Sequence, residues 1–335
     1  MRRRSPALAL FLLSPAIGEL LSSSAPPAEF FNPLGFIMLA VLYGGGATLI
    51  RELVFRWGKG WPSLLVLAAA YGIAEEGLMC KSFFDPGWMD VGLLGTYGRW
   101  LGVNWVWTFE LTIYHAAFSI VIPITLVNLL FPSRREGRWL GGRGFVVLSM
   151  LWITNGILIF HFISPYRPPV LHYGIALAVT IGLVALARRL PQSIAAARPS
   201  EKKAPRPVRL GVLGFGGTFA LFLLAWVVPQ MKVHPIVVTT LMVALAAAMV
   251  WMVSRASCES GFSDRHKLAL VSGALCFFIL ILAPVREWAP NQPDNPTGMS
   301  IVGLTALVFL LWLGRRVKRR EKSATNQEKS VTNSA

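Results

Sequence analysis

Ten apolar stretches, each close to the length of a membrane-crossing helix, leave this chain few folds to choose from. They lie near residues 5–23, 34–54, 61–80, 103–131, 144–164, 170–188, 210–229, 236–254, 268–285 and 300–314. A helix needs about 20 such residues to cross the hydrocarbon core of a bilayer. Strands with unpaired edges cannot cross lipid, so helices are the default. With 54% of its 335 residues hydrophobic and 14% charged, the chain reads as an all-α, polytopic transmembrane helical bundle. The fourth stretch is long enough to tilt or project, and the last is short.

The formal net charge of +16 would suit a nucleic-acid partner, but its distribution points elsewhere. Successive connections can be assigned alternately to the two sides of the bundle. Every Lys and Arg then falls on one side except Lys81, Arg99, Arg167, Lys232 and Arg286. This is the positive-inside pattern. It predicts a multi-pass protein of the cell membrane with both termini and the 188–209 segment cytoplasmic and 81–102 outside. The basic excess is a topology signal with scope for contact with anionic membrane lipids. No basic segment carries a nucleic-acid-binding motif. At the N-terminus, MRRRSPALALFLL followed by SSSAPPA has the outline of a signal peptide. The lack of a clean small-x-small cleavage site favours a retained first helix within residues 1–24. Cys80, Cys258 and Cys276 have no metal-type spacing and read as free thiols.

The segment RRLPQSIAAARPSEKKAPRPVR (188–209) is basic, Pro-rich and aperiodic, so it reads as an exposed linker. It divides a six-helix membrane domain (1–187), which holds nearly all the intramembrane ionisable groups, from a four-helix domain (210–314) whose helix interiors carry none. The second domain reads as scaffold, lipid contact or oligomer surface. Its small residues in GVLGFGG (211–217) and ALAAAM (244–249) suit close helix packing. Residues 315–335, rich in polar and basic side chains, read as a disordered tail.

Within the first domain, Glu75 and Glu76 sit side by side in the apolar run WPSLLVLAAAYGIAEEGLMC. A charged side chain at bilayer depth costs at least ~2.5–3.5 kcal/mol on insertion scales, so two in a row need a reason. The predicted topology puts them in the outer third of helix 3. It also puts Glu19, Glu110, His115, His161 and His172 in the outer half of their helices. At about 100° per residue, Asn104, Thr108, His115 and Ser119 form one polar stripe on helix 4, with Glu110 pointing about 140° away. Tyr71 is one turn before Glu75, and Asn155 lies near the middle of helix 5. The candidate catalytic residues are therefore Glu75, Glu76, His115 and His161, and the candidate substrate-binding residues are Tyr71, Asn104, Thr108 and Asn155. The competing reading is interhelical hydrogen bonding, which commonly fixes membrane bundles. Glu19, Glu110 and His172 read as structural or interfacial, and Arg51–Glu52 as an interfacial ion pair. Above this cluster, the loop KSFFDPGWMDVGLLGTYGRWLGVNWVW (81–107) reads either as a re-entrant lid or as an aromatic belt.

A Glu-Glu pair in one helix with a histidine in each of the next two resembles the CPBP family of intramembrane proteases. Its members pair Glu-Glu-x-x-x-Arg with Phe-x-x-x-His and His-x-x-x-Asn. Glu75 and Glu76 match the carboxylates, His115 the first histidine and His161 the second, over residues 71–165. Cys80, followed by Lys81, holds the Arg position, Leu111 the Phe position and Pro165 the Asn position. The resemblance implies that Glu75 or Glu76 activates a water that attacks a peptide carbonyl, with the histidines orienting it or stabilising charge.

Three functions follow as expectations. One is an intramembrane hydrolase. Another is a proton-coupled transporter or flippase for a small or lipid-linked substrate, since intramembrane Glu and His also serve proton relays. The last is a non-catalytic scaffold. No cofactor is implied. A three-ligand metal site built from His115, His161 and one Glu lacks a supporting His-Glu-x-x-His-type motif.

Overall fold

The computed structural model describes residues 5–192, 200–289 and 294–332. Among the described residues, eight helices are long and apolar enough to cross a membrane. With two shorter apolar helices they make the expected bundle of ten. In chain order these are α1 (Pro6–Leu21), α2 (Pro33–Arg56), α3 (61–79), α4 (Trp105–Leu130), α5 (Gly142–Phe162), α6 (Val170–Arg189), α7 (Pro207–Met231), α8 (Pro235–Ser257), α9 (Asp264–Trp288) and α10 (Met299–Thr332). Proline opens α1, α2, α7 and α8 at a first-turn position, where its missing N–H leaves nothing unsatisfied. The short strands Arg99–Trp100 and Val103–Asn104 pair antiparallel, with Arg99 opposite Asn104.

Helices α1–α4 and α9 are the most buried, while α5–α8 carry apolar side chains on their outer faces. In water such a surface would be a liability. Against hydrocarbon it is the ordinary complement of a membrane helix.

Three expectations need amendment. The two halves do not form separate cores. Ile17, Tyr114, Phe118 and Leu126 share one apolar cluster with Leu275, Phe278 and Leu313, and the Phe118 and Phe278 rings meet edge-on at 4.9 Å. The expected disordered tail is helical as far as Thr332. Arg, Lys, Glu and Gln there are good helix formers. Early in this extension, Arg320 donates to the Leu129 carbonyl at 2.7 Å and Arg265 pairs with Glu321 at 2.6 Å. Part of the linker is ordered too, since Ser200–Lys203 runs parallel to Glu259–Ser260. Linker residues 193–199, the basic residues 2–4 and the last residues 333–335 lie outside the described residues.

Backbone-close packing does occur where GVLGFGG predicts it. A Cβ on Gly273 would stand 1.9 Å from the Gly211 carbonyl oxygen, and one on Gly214 would stand 2.1 Å from that of Leu270. Helices α7 and α9 therefore touch main chain to main chain.

Candidate functional site

Six polar side chains of the first half gather at and around His115, and all six sit on π-helical turns. These turns are Ala16–Leu21 in α1 (Glu19), Ala40–Gly45 in α2 (Tyr43), Ala74–Met79 in α3 (Glu75 and Glu76) and His115–Val121 in α4 (His115 and Ser119). A π turn accommodates one extra residue, re-aims the side chains around it, and recurs at functional positions. Glycines bring the turns together. A Cβ on Gly72 would meet the His115 Cβ and the Thr112 Cα, both at 3.2 Å. One on Gly18 would press on Ser119 Oγ at 2.9 Å, and one on Gly46 would collide with the Tyr71 ring at 2.2 Å.

His115 is clasped between the two carboxylates. Its Nε2 lies 3.0 Å from Glu76 Oε1, and its Nδ1 lies 3.2 Å from Glu75 Oε2 and 3.0 Å from Ser119 Oγ. The rings of Tyr43, Tyr71 and Tyr114 stand around it, with centroids at 5.9, 6.3 and 5.2 Å. The other oxygen of Glu76 accepts from the Ser82 hydroxyl, which in turn accepts from Trp107 Nε1 at 3.0 Å. The Tyr43 hydroxyl donates to Glu19. Glu75 Oε2 is buried with no hydrogen-bond partner. A buried carboxylate oxygen left this way is costly, so its place beside Nδ1 matters.

Proton placement decides the bonding. A neutral imidazole offers one N–H and one acceptor. If Nε2–H donates to Glu76, Nδ1 accepts from the Ser119 hydroxyl and Glu75 Oε2 stays unpaired. One more proton, on Nδ1 or on Glu75, provides a donor for the Nδ1–Glu75 contact. Glu75, Glu76 and His115 also each offer a ligand atom within 4.8 Å of the others, a spacing compatible with a small cation. Both ring nitrogens are already engaged, so a metal ion would first have to displace a hydrogen bond to Glu76 or Ser119. A proton needs only the Ser119 hydroxyl to turn, since Nδ1 gives up accepting from it and gains the contact with Glu75.

The remaining expected residues fall elsewhere. His161 is exposed near the C-terminal end of α5, its ring edge-on to that of Phe160, and does not join the cluster. With it goes a metal set built on two histidines. Asn104 precedes α4, in the short hairpin, instead of continuing the helical stripe. Its side chain accepts from Arg99 at 2.6 Å and donates to the Ser82 and Asp85 carbonyls at 3.2 and 3.1 Å. Asn155 donates to the Met38 carbonyl at 3.1 Å, tying α5 to α2. Tyr71 belongs to the aromatic wall and donates to the Leu42 carbonyl at 3.2 Å. Thr108 Oγ1 is buried without a partner. Glu110, as its helical angle predicts, points away and accepts from Trp226 Nε1 at 2.6 Å. His172 Nε2 meets the Leu101 carbonyl at 2.5 Å.

Sequence reasoning set Glu19 aside as structural and passed over Tyr43 and Ser82. The three glycines that follow Tyr43 were the one local signal of a close approach.

The 81–104 loop folds as a compact cap over this end of the bundle. Phe83, Phe84, Val91 and Leu94 are buried against Ala176, Leu221, Val238 and Met242. Lys81 is fully buried at φ 68°. Its ammonium donates to the carbonyls of Phe160, Ser164 and Tyr166 at 2.6, 2.7 and 3.2 Å, satisfying oxygens at and just beyond the end of α5.

No solved structure matches the chain. A protein described as uncharacterized from Archaeoglobus fulgidus is 26% identical over 127 residues, which make up 38% of this chain and 38% of that protein. The chain thus matches well under half the length of that relative. The CPBP resemblance is overturned, since the family-level match leads to a different family and His161 stands apart from the cluster. The model of an uncharacterized membrane protein family matches residues 8–332, and the chain belongs to that family.

Proposed function

We propose that this multi-pass membrane protein binds and releases a proton at the Glu75–His115–Glu76 centre and couples that event to moving a small or lipid-linked solute across the cell membrane. The observation that carries this reading is one imidazole whose two nitrogens face two different buried carboxylates. Such a group takes up a proton by rearranging hydrogen bonds already in place, and the Nδ1–Glu75 contact is the place prepared for it. Trp107, Ser82 and Glu76 extend the chain of polar groups toward the 81–104 cap, and Glu19 with Tyr43 extends it toward α1 and α2. Intramembrane carboxylates and histidines arranged this way serve proton relays. The Lys and Arg asymmetry supports a cytoplasmic placement of both termini, with the cap outside.

The test is infrared difference spectroscopy of the full-length protein in vesicles as pH is stepped. A protonated-carboxyl band should appear on acidification and be lost or shifted in Glu75→Gln. In His115→Phe its midpoint should move. Vesicles carrying an internal pH dye, offered lipid and water-soluble fractions of a cell extract in turn, should acidify or alkalinise with one of them, and Glu75→Gln vesicles should not. A carboxyl band unchanged by both substitutions would remove the proton reading.

A further inference from the structure

At the opposite, basic end of the bundle a cavity of about 330 Å³ opens between the C-terminal ends of α2 and α4 and the N-terminal ends of α3 and α9. Arg51, Lys59, Arg135 and Lys267 line it, against a single carboxylate, Asp264. Trp61, Leu64 and Ile124 supply an apolar wall. None of these residues is fully exposed. The four cations come from three separate parts of the sequence, around residues 51–59, 135 and 267, so the fold gathers them; the positive-inside pattern alone would not bring the three parts together.

Several of them are already oriented. Arg51, 5% exposed, donates to Glu52 and to the Arg135 carbonyl, both at 2.7 Å. It lies 3.9 Å over the Trp139 ring. Arg135 grips Asp264 with both terminal nitrogens, at 3.2 and 2.6 Å, while its Nε has no hydrogen-bond partner. The Asn128 side-chain oxygen, also at the cavity, is buried and unpartnered. Lining charge that exceeds its internal counter-charge, beside the unmet Arg135 Nε–H donor, calls for an anion. The apolar wall calls for a hydrocarbon tail on the same molecule.

We infer that this cavity binds the phosphate headgroup of an anionic phospholipid, with an acyl chain lying along Trp61 and Leu64. Arginine and lysine hold phosphate through charge-assisted hydrogen bonds, and basic pockets between membrane helices at this face suit such headgroups. Free phosphate shares the headgroup chemistry but leaves the apolar wall unused.

The experiment titrates the full-length protein, in a neutral detergent, with dioctanoyl phosphatidic acid, and reads thermal stability and tryptophan fluorescence. Saturable stabilisation is expected, weakened about tenfold in Lys267→Gln and in Lys59→Gln, each of which removes one charge contact. Arg138→Gln removes the same charge from an exposed position on this face and should bind as the unaltered protein does. Equal weakening by all three would mean diffuse attraction to the basic face and would overturn the site. Inorganic phosphate binding as tightly as the lipid would overturn the lipid assignment. So would equal binding of uncharged dioctanoylglycerol. If a glutamine variant loses folded protein, competition of the lipid against sulfate on the unaltered chain tests the same charge contacts. Displacement by sulfate is expected, and failure of sulfate to displace the lipid would overturn a headgroup held by charge.

Discussion

His115 and His161 are the same residue type on neighbouring helices, yet their surroundings set them far apart. His115 is buried with both nitrogens engaged by other side chains, and His161 is exposed. Removing one partner of a buried ionic or hydrogen-bonded group leaves the others uncompensated, at about 3–5 kcal/mol for an ion pair. His115→Ala should therefore lower stability by several kcal/mol, and His161→Ala should stay within about 0.5 kcal/mol. Thermal unfolding of both variants in one detergent checks this; equal effects would mean that the cluster is not organised around His115. The sequence made Glu75, Glu76 and His115 legible because intramembrane charge is rare and its helical direction can be counted. Ser82 was not legible, because its bond to Glu76 depends on how the chain turns at Lys81 after the helix ends. Asn104 was misplaced for a related reason. Its angle was counted along a helix that does not begin until Trp105.

At the scale of the elements, hydropathy located the ten helices of the bundle, but it carries no sign of the π turns. A π turn changes which side chains face inward without changing how apolar the segment is, so the cluster's geometry could not be read from a uniform helical wheel. Glycine marks the crossings more openly. Gly44 is a crossing point where a Cβ would lie 2.0 Å from the Phe11 carbonyl oxygen. Backbone is on both sides, so neither side can swing away, and Gly44→Ala must push α1 off α2. We expect a loss of at least about 1–3 kcal/mol, the range for overpacked cores. The change should also separate Tyr43 from Glu19. Gly182 on α6 has open space where its Cβ would be, and Gly182→Ala should be neutral or gain about 0.5–1 kcal/mol from helix propensity. Chemical denaturation of the pair separates crowding from propensity, and a stable Gly44→Ala would mean that α1 is not seated at this crossing.

For the molecule as a whole, the ten apolar runs were enough to give the bundle. The division into a functional half and a scaffold half was drawn from where ionisable residues fall along the chain. Apolar contacts leave no comparable mark, because any leucine or phenylalanine face fits another as far as composition can tell. Phe278 and Leu313 from the second half are packed with Tyr114 and Phe118 from the first, and the Tyr114 ring stands edge-on to that of His115. Trp226 of α7 holds Glu110 of α4. The halves should therefore depend on each other. A chain ending at residue 192 should be unstable or aggregate when made alone in membranes. So should one beginning at residue 200. Co-expressed, the two should assemble into a complex that survives detergent extraction, with the carboxyl infrared band restored. The Phe118–Phe278 contact gives a sharper version. Phe278→Ala, far from the site in sequence, should cost about 3–5 kcal/mol as a large buried aromatic. It should also perturb the His115 centre through Phe118 and Tyr114. A first half that folds alone and keeps its infrared signature would show that the shared core is dispensable, and the two-domain division would then stand.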